Sequence, residues 1–533
     1  MSKTFRNPIL PGFHPDPSIC RVGEDYYLIT STFEYFPGLP IYHSRDLVHW
    51  EQIGHVLDRP SQLPLDGVRA SGGLYAPTIR YHHGIFYVIN TLIDGHFTDA
   101  QGRILGGNFI VTAKHPAGPW SEPYWLEDAP GIDPSLFFDE DGRVWYTGNR
   151  HQHEGYYLDH TEIWLQELDL EKMQLTGEKT ILWDGALKGV RWAEAPHLYK
   201  VDGYYYLLIA EAGTFHDHAV TIARSRKIDG PYEGNHRNPI LTNRHLGLNH
   251  PIVGTGHADL IQTQKGEWWM VLLAERPYGG YYYNLGRETF LVPVIWEDGW
   301  PVCSPGTGRV DFEYPVPDLP EQKWPSQPAC DNFDAPSLAY CWNFLRTPRH
   351  EFWSLNERPG FLRLKLQPHT LMETATPSFV GRRLQNIDFT ASTAMEFDPR
   401  ADGECAGLVL LQNDRHQFRM VKTLKPAGGL SYQLVIQLIC RRSGRDSVLA
   451  EQEIQPGRIY LKVETIGQDT NFFFAEQADD WKPLAQNVDG RILSTQIAGG
   501  FTGVYLGMYA SSNGKESTNL ADFDWFEGFG LRG

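Results

Sequence analysis

Two copies of one short motif, D-P-S followed by Ile or Leu, put Asp16 and Asp133 in the same local frame. A third carboxylate, Glu194, stands in R-W-A-E-A-P-H-L, one residue before an Ala-Pro pair. Carboxylates grouped in this way can divide acid and base work. One keeps its proton while another takes one from water, provided their surroundings differ. Taken singly, D-P-S is ordinary turn chemistry, since Asp starts a turn and Pro fixes φ. The three carboxylates, however, sit in register with a longer repeat. Like charges that converge repel each other and are costly unless used.

Five segments carry that repeat, aligned at Asp16, Ala76, Asp133, Ala195 and Ala258, with starts about 60 residues apart. Each has a short apolar strand, a turn containing Gly or Asp, and a second strand dense in aromatic and β-branched residues, which reads as a β-hairpin. Echoes between the hairpins, such as H-S-R-D-L-V-H-W from His43, T-A-K-H-P-A-G-P-W from Thr112 and R-S-R-K-I-D-G-P-Y from Arg224, supply a third and an outer fourth strand. Four strands repeated five times predict a five-bladed β-propeller over residues 1–315. R-N-P-I-L occurs at Arg6 and again at Arg237, so the N-terminus is expected to give an outer strand that closes the ring. Innermost strands of a propeller converge on one mouth. The aligned starts therefore bring Asp16, Asp133, Glu194, His257 and Tyr75 to a shared funnel, the last three each one residue before the aligned Ala.

A Pro-rich linker follows at residues 316–329. Residues 330–533 alternate apolar and polar in F-L-R-L-K-L, Y-Q-L-V-I-Q-L and R-I-Y-L-K-V, the pattern of a half-buried antiparallel sandwich. The chain is thus read as all-β, a propeller followed by a jelly-roll, lectin-like sandwich. The best helix candidate, around Leu168 to Met173, is short.

Composition narrows the partners. The 533 residues carry a formal net charge of −18, which argues against nucleic acid or an anionic membrane as the main partner. No apolar run approaches the length of a membrane span. The first residues have no apolar core of a secretory signal, and the six cysteines are scattered without a C-x-x-C. These features lead to the expectation of a cytoplasmic protein with free thiols. No G-x-S-x-G, Walker A or G-x-G-x-x-G motif appears. The pairs His151/His153 and His216/His218 lack a carboxylate or Cys at ligand spacing, so no structural zinc is expected.

F-H-P-D-P-S-I at Asp16, G-I-D-P-S-L-F-F at Asp133 and R-W-A-E-A-P-H-L at Glu194 resemble glycoside hydrolase family 43, in particular its β-xylosidases with a five-bladed propeller and a C-terminal sandwich. S-T-F-E-Y-F-P-G, Y-A-P-T-I-R-Y and F-T-G at Phe501 extend the resemblance over essentially the whole chain. It implies an inverting exo-glycosidase that releases terminal xylose from the non-reducing end of β-1,4-xylo-oligosaccharides, with an α-L-arabinofuranosidase side activity. Asp16 matches the family's base, Glu194 its acid and Asp133 the carboxylate that tunes the acid. Arg287, in Y-N-L-G-R-E-T-F, matches an arginine that binds sugar hydroxyls, and His257 the histidine at the bottom of the funnel. Phe33 is expected to wall the sugar ring, and Phe501 to close the pocket from the sandwich. Core packing is the alternative for both, as a surface loop is for Arg287. The resemblance implies no required cofactor, a divalent cation such as calcium held through water near His257, and a homo-oligomer, tetramer or dimer. The chain departs from the family at Tyr75, where Trp is common, at Ile132 and at Ala212. The other readings are an arabinofuranosidase or arabinanase of the same family, and a non-catalytic glycan-binding propeller.

Overall fold

The computed structural model describes residues 3–98, 104–152, 154–325, 328–428 and 431–531; His153 lies outside them. Among the described residues, five antiparallel blades carry the first three hundred residues. Their inner strands are Ser18–Val22, Thr78–His82, Ser135–Phe138, Glu194–Val201 and Val253–Gln262. Each inner strand packs on those of the two neighbouring blades, and the fifth returns to the first, so the ring is closed. The blades stick together through apolar residues on their facing surfaces. Ile89 and Ile110 of blade two meet Leu136, Tyr146 and Trp164 of blade three, while Ile163 and Leu165 of blade three meet Leu207 and Ile209 of blade four. Alternation along each strand is what lets one sheet bury both faces against its neighbours.

Two expectations are corrected. Leu168 and Asp169 end the strand Thr161–Asp169 and the chain then turns, so no helix forms there; a hairpin between strands paired from Glu167 to Gln174 overrides the weak local preference. The N-terminus closes the ring by a short outer pairing, Leu10 with Thr289 on the third strand of blade five, and not by a regular blade strand. Thr4–Arg6 pairs instead with Glu313–Pro315 as a separate ribbon. The repeated N-P-I-L is nevertheless a real device. The Asn7 side-chain amide donates to the Leu291 carbonyl and accepts from its N–H, both at 2.9 Å. Asn238 treats Ile222 in the same way, at 2.8 and 2.9 Å. Each asparagine thus plays the part of a strand partner for the third strand of a blade.

The C-terminal part is a sandwich of an eight-stranded and a six-stranded antiparallel sheet. In Arg458–Ile466, Ile459, Leu461 and Val463 point into its core and the intervening residues point out. Its α-helix, Thr495–Ala498, has only four residues, and no described helix is long and apolar enough to cross a membrane. The sandwich does not hang free. Phe344–Leu345 pairs with Tyr35–Phe36 of the propeller, the Thr347 hydroxyl donates to the Leu63 carbonyl at 2.5 Å, and the fully buried Arg346 donates through Nε to the Val68 carbonyl at 2.6 Å. One hydrophobic cluster runs from Ile41 and Leu74 through Phe344 to Leu408 and Phe523, across both parts.

Candidate active site

Four inner strands share a left-handed turn, just before the strand in blades one and three and inside it in blades four and five. Asp16, Asp133, Ala195 and His257 all adopt left-handed backbone, with φ of 54°, 54°, 54° and 49°. This conformation costs a non-glycine residue of order 1 kcal/mol, so its recurrence in four blades marks the turn as the element that aims these side chains. It also corrects the fifth repeat: His257 itself, not Ala258, occupies the aligned position. Blade five has Ala-Asp where blades one and three have Pro-Ser, and without the proline nothing in the sequence anchored the register.

The turns open on one cavity of about 330 Å³. Asp16, Asp133, Glu194, His257, Arg287, Phe33, Tyr75 and Phe501, all anticipated from the sequence, line it together. Asp16 is deeply buried and both its oxygens are engaged. Oδ1 accepts from Arg287 Nη1 at 2.5 Å, Oδ2 accepts from the Ser31 hydroxyl at 2.5 Å, and His257 Nδ1 lies 3.9 Å from Oδ1. Asp133 has one donor, the Ala195 N–H at 3.2 Å. Burial pushes its carboxyl up to about 6, with Asp16 adding to the shift and His257 and Arg287 opposing it. Glu194 stands on the cavity wall. Burial first, then repulsion by Asp133 and Asp16, raises its carboxyl well above the usual carboxylate range, against the pull of Arg287. One site therefore offers a carboxylate locked between donors and a carboxyl that favours its proton, the division needed for acid and base work.

Aromatic rings close the other side. Phe33 stacks on Phe501 with centroids 5.8 Å apart and tilts on Tyr75 at 5.2 Å, and Arg287 Cζ lies 5.4 and 5.7 Å from the centroids of Phe33 and Phe501. Phe501 comes from the sandwich, so both parts of the chain build the cavity. Of the family departures, Tyr75 and Ile132 line the wall, and Ala212 stands beside Gly213, which does.

Several residues of the site escaped the sequence reading. Ser31, in the plain string I-T-S-T-F, gives no signal. Trp192 also lines the cavity, and a Cβ at Gly213 would come within 2.5 Å of its indole, so position 213 admits the ring only as glycine. Below the cavity a polar plug fills the propeller axis. Asp259 accepts from Ser18 Oγ at 2.8 Å, Arg80 Nη1 at 2.8 Å and Tyr199 OH at 2.6 Å. Burial alone would raise the Asp259 carboxyl; Arg80, His197 and Tyr199 together hold it well below the usual range. Among the described residues no three His, Cys, Asp or Glu side chains gather in a way that could hold a metal ion. His216 and His218 bond instead to the carbonyls of Arg244 and Gly254.

Residues 5–301 match the family described as Glycosyl hydrolases family 43, and residues 330–528 match the Beta xylosidase C-terminal Concanavalin A-like domain. The chain is 47% identical to a xylosidase/arabinosidase of Butyrivibrio fibrisolvens, covering 98% of each. It is 43% identical to a non-reducing end α-L-arabinofuranosidase of Bacteroides ovatus, covering 98% of this chain and 94% of that one. The solved structure of a xylan β-1,4-xylosidase from Bacillus halodurans superposes with a TM-score of 0.91 at 38% identity, over 98% of this chain and 99% of that one.

Proposed function

The chain belongs to glycosyl hydrolase family 43, and from that premise we propose that it is an inverting exo-β-xylosidase releasing xylose from the non-reducing end of β-1,4-xylo-oligosaccharides. The observation that carries the reading is the unequal treatment of the carboxylates. Asp16, fixed by Arg287 and Ser31, takes the proton of a water that attacks the anomeric carbon. Glu194, held protonated, gives its proton to the departing glycosidic oxygen. One direct displacement then inverts the anomeric centre. Asp133 keeps the Glu194 proton in place by repulsion. Arg287 and His257 bind sugar hydroxyls, while Phe33, Tyr75 and Phe501 form the apolar wall, and the sandwich loop carrying Phe501 shuts the far side and favours an exo pocket over an open groove.

An α-L-arabinofuranosidase activity is the second reading, favoured by the 43% identity to the Bacteroides enzyme. We extend the proposal to a cytoplasmic homo-oligomer, in keeping with six free cysteines, and to a water-held divalent cation such as calcium near His257 as an accessory through which no step is routed. Product analysis on xylobiose, xylotriose and arabino-oligosaccharides tests the substrate. Proton NMR must show α-xylose as the first product; β-xylose would remove the direct displacement.

A further inference from the structure

Ser71 stands at the seam of the two parts, buried and in left-handed backbone with φ 60°. Its polar groups reach three elements. The N–H donates to Glu34 Oε2 at 3.0 Å, the carbonyl accepts from Tyr75 OH at 3.3 Å, and the hydroxyl accepts from the Phe501 N–H at 2.9 Å. The last bond crosses from the propeller to the sandwich. Glu34 is itself anchored there, because its carbonyl accepts from the Arg346 N–H at 2.8 Å. Beyond Phe501 the contacts lead to the base: the Phe501 carbonyl accepts from Arg287 Nη2 at 3.4 Å, and Arg287 holds Asp16. Gly500 shows how closely the loop is seated. Its φ is 82°, and a Cβ there would lie 2.5 Å from the Ser71 hydroxyl.

We propose that Ser71 is a positioning residue, whose hydroxyl seats the sandwich loop so that the Phe501 ring covers the bound sugar. The inference rests on Phe501 being a wall of the pocket. A ring that covers the sugar contributes to ground state and transition state alike, so its displacement is read in KM more than in kcat. The competing view is that Ser71 serves only its turn. Ser71→Gly separates the two, since glycine takes φ 60° without strain but has no hydroxyl.

The experiment measures kcat and KM of the full chain on whichever nitrophenyl pentoside the wild type hydrolyses. Failure of the xyloside reading then shows in the wild type, and failure of this one in the variants. Ser71→Gly and Ser71→Ala should each raise KM about fivefold, the worth of one neutral hydrogen bond, with kcat within twofold. Gly500→Ala should raise KM further, and should cost less in the Ser71→Gly background, where the hydroxyl it strikes is gone. Arg349→Ala, which removes an ion pair to Asp66 across the same seam, should leave KM unchanged. The proposal is overturned if Ser71→Gly has wild-type KM, if Arg349→Ala raises KM equally, or if Gly500→Ala costs the same in both backgrounds. Should Ser71→Ala fail to fold, the glycine variant and the Gly500 cycle still decide.

Discussion

Ser31 is fully buried and spends its hydroxyl on Asp16 Oδ2 at 2.5 Å. The bond is charge-assisted, and such bonds contribute about 1.5–3 kcal/mol. Ser31→Ala removes it while Arg287 keeps its grip on the other oxygen. The carboxylate then keeps one anchor instead of two, and the oxygen that must face the water is free to turn away. A loss of about 1.5–3 kcal/mol in the transition state lowers kcat/KM by about 10–100-fold. The assay is kcat/KM on a nitrophenyl and a dinitrophenyl xyloside, with circular dichroism to confirm the fold. The loss must appear on both substrates, because every turnover needs the activated water. Wild-type kcat/KM on both, or a loss confined to the poorer leaving group, would refute the assignment of Asp16 as base.

The acid is tested on the leaving group. Glu194→Gln should lose about 10²–10⁴ in kcat/KM on xylobiose and less than tenfold on dinitrophenyl xyloside, which departs without protonation; equal losses would sink the assignment. Asp133→Asn keeps an acceptor for the Ala195 N–H but removes the charge that repels Glu194, so the basic limb should move to lower pH, and a limb that stays put would leave Asp133 without its tuning role. Glu34→Gln tests a buried acid at the seam. Burial raises the Glu34 carboxyl from 4.5 to about 7, so the folded state binds its proton more tightly than the unfolded chain does. The stability this gives is complete below about 4.5 and is lost as pH rises through about 7. Gln does not titrate, so in urea unfolding the variant should gain on the wild type by up to about 3 kcal/mol between pH 4.5 and pH 8; a variant that instead loses ground to the wild type toward pH 8 would show the sign to be wrong.

What was legible in the sequence followed from repetition. Five hairpins in register reveal the blades, and the two D-P-S turns with A-E-A-P place three carboxylates at one mouth. The misses share a cause. Blade five lacks the proline that marks the turn elsewhere, so its sequence does not fix the register of His257. Ser31, Ser71 and the plug of Arg80, Tyr199 and Asp259 work through partners 15 to 430 residues away, and hydroxyl, phenol and guanidinium groups carry no local pattern that reveals such pairing. The seam strands Tyr35–Phe36 and Phe344–Leu345 have two residues each, too few to show a period.

Asp16 and Asp133 share a motif, a left-handed turn and a φ of 54°, and nothing in their local sequence tells base from tuning acid. The distinction lies in what surrounds each. Blade five and the loop after the second strand of blade one bring Arg287 and Ser31 to Asp16, whereas Asp133 accepts the N–H of Ala195 and is pushed up chiefly by burial. Glu194 precedes that same Ala195, so the turn that holds Asp133 also fixes the strand start from which Glu194 enters the cavity. Proton affinity in this site is therefore set by the ring as a whole. A five-fold repeat first makes the carboxylates equivalent, and the residues that differ between blades then pull them apart.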